Sequence, residues 1–490
     1  MLGNWQTHNE YQQFVLDGLS TIYKSNASSL NEYEYEISKV YILDLDPLKD
    51  IVSPLYSRIG RTSELQPQIF RSFVLMLSLG IALDNWLPKL KNNPVLRIAC
   101  GFSGKLPKIA SYYDFINRII NLDEKSCMKL KKHKPAKKYK KGEKMPPKHP
   151  GMVEKLVKKI LEGRRLNNRP ERTLQEIFAK VSIQKSFDMG LIPKTVSASG
   201  DGICIITGAS PYGVKTCECK KQGIYKCDCT RKFSDPNATW GWDSHNEHYF
   251  YGGYTGYFIS TYNKAEKLDL PLYLRLVEAS RHDSVSAVVA LAEFRDLCPD
   301  LKIDTFISDS ASDNYATYEL LHEWNINAVI ALNPKNEGNC KYPTSTDIDK
   351  NGNPVCPCGY SMINWGFCKD RCRIKWRCPK KVKGYECKNC VCCSPSSYGR
   401  TIYTKPSWDL RLFTRISRGS DAWKSKMKQR TAAERVNNRI LNHYGIEASH
   451  TRGKKRISFF TTIAAINVHL DAQLAKLKTD MSFHFQSLFC

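Results

Sequence analysis

The sequence predicts an α/β protein in which a helical N-terminal region precedes the strands and a Cys-rich insertion interrupts them. Three observations predict it. Apolar residues recur at helical spacing within the first 125 positions, and from about 191 strand-length apolar runs alternate with helical patterns. Ten of the nineteen cysteines fall between 340 and 393.

Residues 1–125 read as a helical domain. From Pro67 to Lys91, Phe70, Phe73, Val74, Leu77, Ile81, Leu83 and Leu87 mark one apolar face, and a shorter helical stretch runs from Ser111 to Ile120. Asn92-Asn93-Pro94 and Gly101-Phe102-Ser103-Gly104 separate them. Residues 126–190 read as a basic linker. Ten lysines lie between Lys129 and Lys148, among them Lys137, Lys138, Lys140 and Lys141, against the single acid Glu143. Like charges at that density keep a segment extended and suit it to contact phosphates without reading bases.

From 191 to 335 the expected order is strand (Val196–Thr207), strand (Tyr249–Thr261), strand (Leu270–Glu278), helix (Asp283–Leu297), strand (Ile303–Ser308), helix (Tyr315–Trp324), strand (Ala328–Leu332). Three strands, then helix, strand, helix, strand, is the order of a ribonuclease-H-like domain. The Cys-rich insertion occupies 336–400. Residues 401–480 return to helix, with one run from Asp421 to Tyr444 stopped by Gly445.

Charge limits the function classes. The chain of 490 residues has 74 Lys and Arg against 48 Asp and Glu, a net charge of +26. A surface so positive attracts polyanions through counterion release, so nucleic acid is the expected partner. The longest apolar stretch, Phe73 to Leu83, is far short of the ~20 residues a membrane span needs. The opening residues lack a basic segment followed by an apolar run, so a cytoplasmic location is expected. In a reducing compartment the cysteines read as metal ligands before disulfides. Cys217-x-Cys219 and Cys227-x-Cys229 place four thiols within thirteen residues, a set that suits structural Zn²⁺, and zinc is also expected in the later group, with buried free thiols as the alternative.

Phosphoryl chemistry with two metal ions needs carboxylates converging from separate elements, and hard ions such as Mg²⁺ or Mn²⁺ take oxygen ligands. Asp201 lies in the first strand and Asp309 closes the fourth, where α/β sheets place their ligands. Asp313 is the rival for Asp309 but fits a helix cap better. Glu434 lies on the later helix one turn after Arg430, so both share a face. His282 with Asp283 reads as a capping pair at a helix start, with an outer role at the metals as the alternative.

These residues carry a resemblance. Arg430-Thr431-Ala432-Ala433-Glu434 matches the Arg-x3-Glu part of the Tyr-x2-Arg-x3-Glu-x6-Lys signature of DDE transposases from bacterial insertion sequences. Gly200-Asp201-Gly202 and Ser308-Asp309-Ser310 resemble that family's two aspartate segments. Asp235-Pro236-Asn237-Ala238-Thr239-Trp240-Gly241, Arg281-His282-Asp283-Ser284 and Tyr398-Gly399-Arg400-Thr401 are similar to its recurring phrases. The likeness runs from about 60 to 475. The signature's tyrosine position holds Met427 and its lysine position Leu441. The resemblance implies that Asp201, Asp309 and Glu434 hold two Mg²⁺ ions, and that water and then a freed 3′ hydroxyl attack the phosphate. It implies terminal inverted repeats and target DNA as partners and a homodimer on the DNA; Arg430 suits the scissile phosphate, and Arg435 and Arg439 are read as substitutes for the two missing signature side chains in gripping the DNA end. Two rivals remain: a nuclease of the same fold without strand transfer, and a non-catalytic, zinc-containing DNA-binding protein derived from a transposase.

Overall fold

A computed structural model describes residues 1–25, 32–121, 128–129, 149–167, 169–210, 212–243, 248–334, 341–387, 393–447, 451–480 and 483–489. Among the described residues seven α-helices open the chain: α1 (His8–Ser25), α2 (Glu34–Tyr41), α3 (Asp46–Val52), α4 (Gln66–Ser78), α5 (Leu83–Asn92), α6 (Pro94–Cys100) and α7 (Ile109–Ile119). Local chemistry sets their ends. The Asn93 side chain accepts from the Leu96 N–H at 3.1 Å, Pro94 opens α6, and Gly101 closes it at φ 88°. The continuous run expected from 67 to 91 is broken. Gly80, at φ 64°, ends α4, and α5 leaves at 106° to it. Among the described residues no single helix is long and apolar enough to cross a membrane.

The reading of 126–190 as linker is corrected over its second half. Residues there form α8 (Met152–Leu161), α9 (Arg172–Phe178), a π turn (Ala179–Ile183) and α10 (Gln184–Asp188). Leu174, Ile177, Phe178, Val181 and Ile183 are buried. The lysine count before 150 hid an apolar periodicity that begins after it. Lys137, Lys138, Lys140 and Lys141 lie outside the described residues.

The central sheet contains β1 (Thr195–Ile206), β2 (Thr239–Asp243), β3 (His248–Asn263), β4 (Leu268–Glu278), β5 (Lys302–Ser308) and β6 (Asn327–Ile330). β3 pairs antiparallel with β1 on one side and with β4 and β2 along successive stretches of the other. β1 and β5 are parallel, as are β5 and β6. Helices α11 (Asp283–Leu297) and α12 (Tyr315–Glu323) make the two crossovers. The protein is thus α/β with a mixed sheet. Sequence reasoning missed β2, a five-residue edge strand.

The insertion carries β7 (Ile363–Cys368), β8 (Arg373–Arg377), a short α13 (Pro379–Lys383) and β9 (Thr401–Thr404). β8 is the middle strand, antiparallel to both neighbours. The helix expected from 421 to 444 is two, α14 (Asp421–Lys428) and α15 (Thr431–Asn438), followed by a π turn to His443. Gly445, at φ 65°, follows as expected. The last long helix, α16 (Lys454–Asp480), is buried along most of its length and unites the core. It packs on β4 and α9 on one side and on α2 and α4 on the other. Phe73 meets Phe459 edge-on at 4.7 Å, and the Asn467 amide donates to the Val74 carbonyl at 3.2 Å. His469 bridges Ser186 Oγ and the Pro271 carbonyl at 2.8 Å each, and burial pushes its pKa down to about 4.

Candidate functional site

Four carboxylates gather where β5 ends beside the middle of β1. The parallel register pairs Ser199 with Ile307, and two residues further it sets Asp201 beside Asp309. Asp309 leaves β5 and caps the next turn, accepting the Ala311 N–H at 3.0 Å. On the other side, Asn437 of α15 donates to Asp201 Oδ2 at 3.1 Å. Glu434, one turn earlier on α15, accepts from Arg430 at 2.5 Å. The Arg430 carbonyl in turn accepts from Ser199 Oγ at 3.3 Å, which fixes the start of α15 against β1.

The fourth carboxylate is Asp283, at the first turn of α11. A Cβ on Gly202 would stand 2.7 Å from Asp283 Cγ, so only glycine lets α11 approach β1 this closely. Burial pushes Asp201 up to about 7; the Arg430 guanidinium opposes the shift, while Asp309, Asp283 and Glu434 reinforce it. Burial, with Asp309 beside it, holds Asp283 up at about 6. The Tyr257 hydroxyl is buried among the same charges with no hydrogen-bond partner among the described residues, and burial with Asp283, Asp201 and Asp309 drives its pKa well above normal. The arrangement is a partly buried set of carboxylates whose charges raise one another's pKa values, with the Arg430 guanidinium at its rim.

The other residues singled out from sequence fare differently. Asp313 is buried, accepting two Arg411 donors from its Nε and Nη2 at 3.0 and 2.8 Å, the Tyr318 hydroxyl and the Asn333 N–H. It is an internal counter-ion, and Asn314 caps α12 in its place. His282 caps α11, accepting the Ser284 N–H at 3.3 Å. Arg435 makes a two-pronged pair with Asp269 of β4, at 2.5 and 2.8 Å, and Arg439 donates to the Asp269 carbonyl. Both guanidiniums therefore brace α15 against β4. Leu441 is buried, and Met427 lies on α14. Sequence reasoning favoured helix capping at His282 and gave Asp283 an outer role at the metals only as the alternative. Its one available signal was the adjacent Gly202, which has meaning only once α11 is known to cross β1.

Cys217, Cys219, Cys227 and Cys229 form a second centre on the excursion from β1 to β2. Their sulfurs all lie within 4.8 Å of one another, with Cys217–Cys227 and Cys219–Cys229 at 3.6 Å. Four thiolates at ~2.3 Å from one tetrahedral Zn²⁺ stand about 3.8 Å apart, so the cluster fits a metal such as zinc. Two short strands hold it, Val214–Lys215 pairing with Arg231–Lys232, and the Ile224 N–H closes a turn onto the Cys219 carbonyl at 2.8 Å. The Cys219 N–H and the Cys227 thiol pull the Cys217 thiol down to about 7, while the neighbouring Cys229 and Cys217 thiols push Cys219 up to about 12. No protein-family model matches the chain, and no curated protein matches it.

Proposed function

We propose that the protein is a DNA transposase of the insertion-sequence type, cleaving and joining strands at a ribonuclease-H-like centre formed by Asp201, Asp309 and Glu434. The carrying observation is the burial of Asp201 among three other carboxylates, which leaves it with a pKa near 7. A protein that only binds DNA has no use for anions forced together at a sheet end. Support also comes from the sheet, where antiparallel β4, β3 and β1 precede parallel β5 and β6 with helical crossovers, and from the net charge of +26.

Mg²⁺ or Mn²⁺ is the metal proposed here, because every donor is an oxygen and a cation would relieve the mutual repulsion of the carboxylates. When bound, such ions polarise a phosphoryl oxygen and make a coordinated water more acidic. Asp201 and Asp309 would hold them from the sheet and Glu434 from α15. Asn437 orients the Asp201 carboxylate, and Arg430 sits where a scissile phosphate would need a guanidinium. Hydrolysis leaves a 3′ hydroxyl on the element's end, and that hydroxyl displaces a 3′ oxygen in target DNA. The partners are terminal inverted repeats and target duplex, and the active form on DNA is a homodimer.

The test uses a labelled duplex carrying the gene's own flanking inverted repeat, with Mg²⁺ or Mn²⁺. Cleavage and joining by the wild type, lost in Asp201→Ala, Asp309→Ala and Glu434→Ala, support the proposal. Cutting without joining of a pre-cut 3′ end supports the nuclease. Binding without cutting supports the non-catalytic DNA-binding protein, a reading kept open by Met427 and Leu441 at the signature's tyrosine and lysine positions.

A further inference from the structure

The thiol cluster between β1 and β2 sits on a knuckle that adds nothing to the main core. Among the described residues from 212 to 232 no side chain is fully buried, and 220–226 are all exposed. The root of the knuckle, by contrast, is fixed. Buried Asp235 accepts the Thr207 and Tyr254 hydroxyls at 2.8 and 2.7 Å, and the Gly208 carbonyl accepts from Arg452 at 3.1 Å. A segment without a core keeps one shape only through local bonds and a metal. Besides the four thiols, Lys215 donates to the Tyr225 carbonyl at 2.5 Å and Arg231 to the Tyr212 carbonyl at 3.1 Å. A third strand, Met128–Lys129, joins the knuckle's sheet by pairing with Arg231–Lys232.

What the knuckle presents is positive charge. From Tyr212 to Lys232 the basic residues are Lys215, Lys220, Lys221, Lys226, Arg231 and Lys232, against only Glu218 and Asp228. A zinc ion held by four thiolates carries two negative charges, and the segment stays positive with those included. Lys221 is engaged by Glu218 at 2.5 Å. Lys220, Lys226 and Lys232 are exposed and have no ion-pair partner among the described residues. Tyr212 and Tyr225 are exposed too, and a tyrosine hydroxyl, like an ammonium, donates to phosphate oxygens. Lys129 opens the run of ten lysines that ends at Lys148, so the chain's most basic stretch continues from the knuckle's own sheet.

We propose that this knuckle is a clamp for duplex DNA, in which Lys220, Lys226 and Lys232, with Tyr212 and Tyr225, hold backbone phosphates without reading sequence. Lysines meet phosphates as point charges. A mount of fixed shape loses little freedom on binding and suits phosphates whose spacing is itself fixed, as in a duplex. Its place in the fold agrees. Ile206, where β1 ends, lies roughly 17 Å along the strand from Asp201, the length of about five base pairs. A duplex laid from the carboxylates along β1 reaches the knuckle. The inference rests on the proposed function for its partner, DNA, and uses none of its chemistry. The four thiols then shape a binding surface, where a purely structural site would brace a core.

The test is duplex binding by the full chain without Mg²⁺ or Mn²⁺, read by fluorescence anisotropy from about 50 to 200 mM salt. Lys220→Gln, Lys226→Gln and Lys232→Gln combined are expected to weaken binding roughly 10- to 100-fold, equally for unrelated sequences. The slope of log affinity against log salt should become shallower by about 2–3. Zinc content and melting temperature should stay those of the wild type, which separates lost contacts from lost folding. Cys227→Ser, which lacks a metal ligand, is expected to weaken binding as well. Four results would each overturn the proposal: wild-type affinity and slope in the triple variant, wild-type affinity in Cys227→Ser, an equal loss on replacing exposed Lys105, Lys155 and Lys158 instead, or a single strand that competes as well as the duplex. A wild type that binds duplex and never cuts it overturns the catalytic reading alone.

Discussion

Asp201→Asn is expected to make the metal-free protein more stable at pH 8 while abolishing strand cleavage. Asp201 titrates near 7 in the fold against 3.8 in a free chain. Between those values the folded state holds a proton that the unfolded state has released. Wild-type stability therefore falls as pH rises through this window, by up to ~1.4 kcal/mol for each step of one in pH, and levels off above pH 7. Across the whole window, from 3.8 to about 7, the ionised carboxylate destabilises the fold by at most ~4 kcal/mol. Asparagine has the same shape, carries no charge and still accepts the Asn437 donor. Thermal unfolding of both proteins from pH 5 to 8.5, with chelator present, reads the difference. The gap between melting temperatures should widen with pH up to about 7 and then hold. Adding Mn²⁺ should raise the melting point of the wild type far more than that of the variant. A gap that is constant across pH, or a variant less stable at pH 8, would refute the account of Asp201 as a carboxylate held against its preference.

Gly202→Ala forces Asp283 and α11 away from β1, and a loss of ~1–3 kcal/mol in unfolding free energy is expected, with cleavage reduced. Tyr257→Phe removes a buried hydroxyl that has no partner among the described residues, so the metal-free melting point should rise or hold; a clear fall would show that the hydroxyl is already bonded. Arg411→Met strands the Asp313 charge in the interior and should cost ~3–5 kcal/mol in denaturant unfolding, far more than Arg435→Met at its half-exposed pair with Asp269. Cys227→Ser should remove one zinc per chain by metal analysis, without altering the pH dependence assigned to Asp201.

The strands that carry Asp201 and Asp309 were legible because buried strands are short apolar runs with sharp ends, and the structure places them within two residues of expectation. Asp313 was recognisable as the weaker candidate, but its partner Arg411 lies 98 positions away, beyond any local pattern. Asp283 was harder. An acid in the first turn of a helix has an ordinary explanation in the helix dipole, and only the tertiary approach of α11 to Gly202 gives it another. The partners of two arginines were illegible for the converse reason. Arg435 and Arg439 follow Glu434 on the same helix, yet burial of one helix face directs them to Asp269. The break between α14 and α15 leaves little trace in sequence, since no glycine or proline marks residues 429–430.

The placement of α16 has a consequence for how the chain is made. Its residues from Ile457 onward cover Phe73 and Val74 near the start, and Asp471 is the counter-ion of buried Lys39 at 2.8 Å. The opening helices therefore cannot finish their core until the ribosome has added nearly four hundred further residues, which takes roughly 20–80 s at ordinary rates of synthesis. Until then an apolar face and an unpaired lysine stay exposed on the nascent chain, available to a chaperone or to any polyanion close to the site of translation.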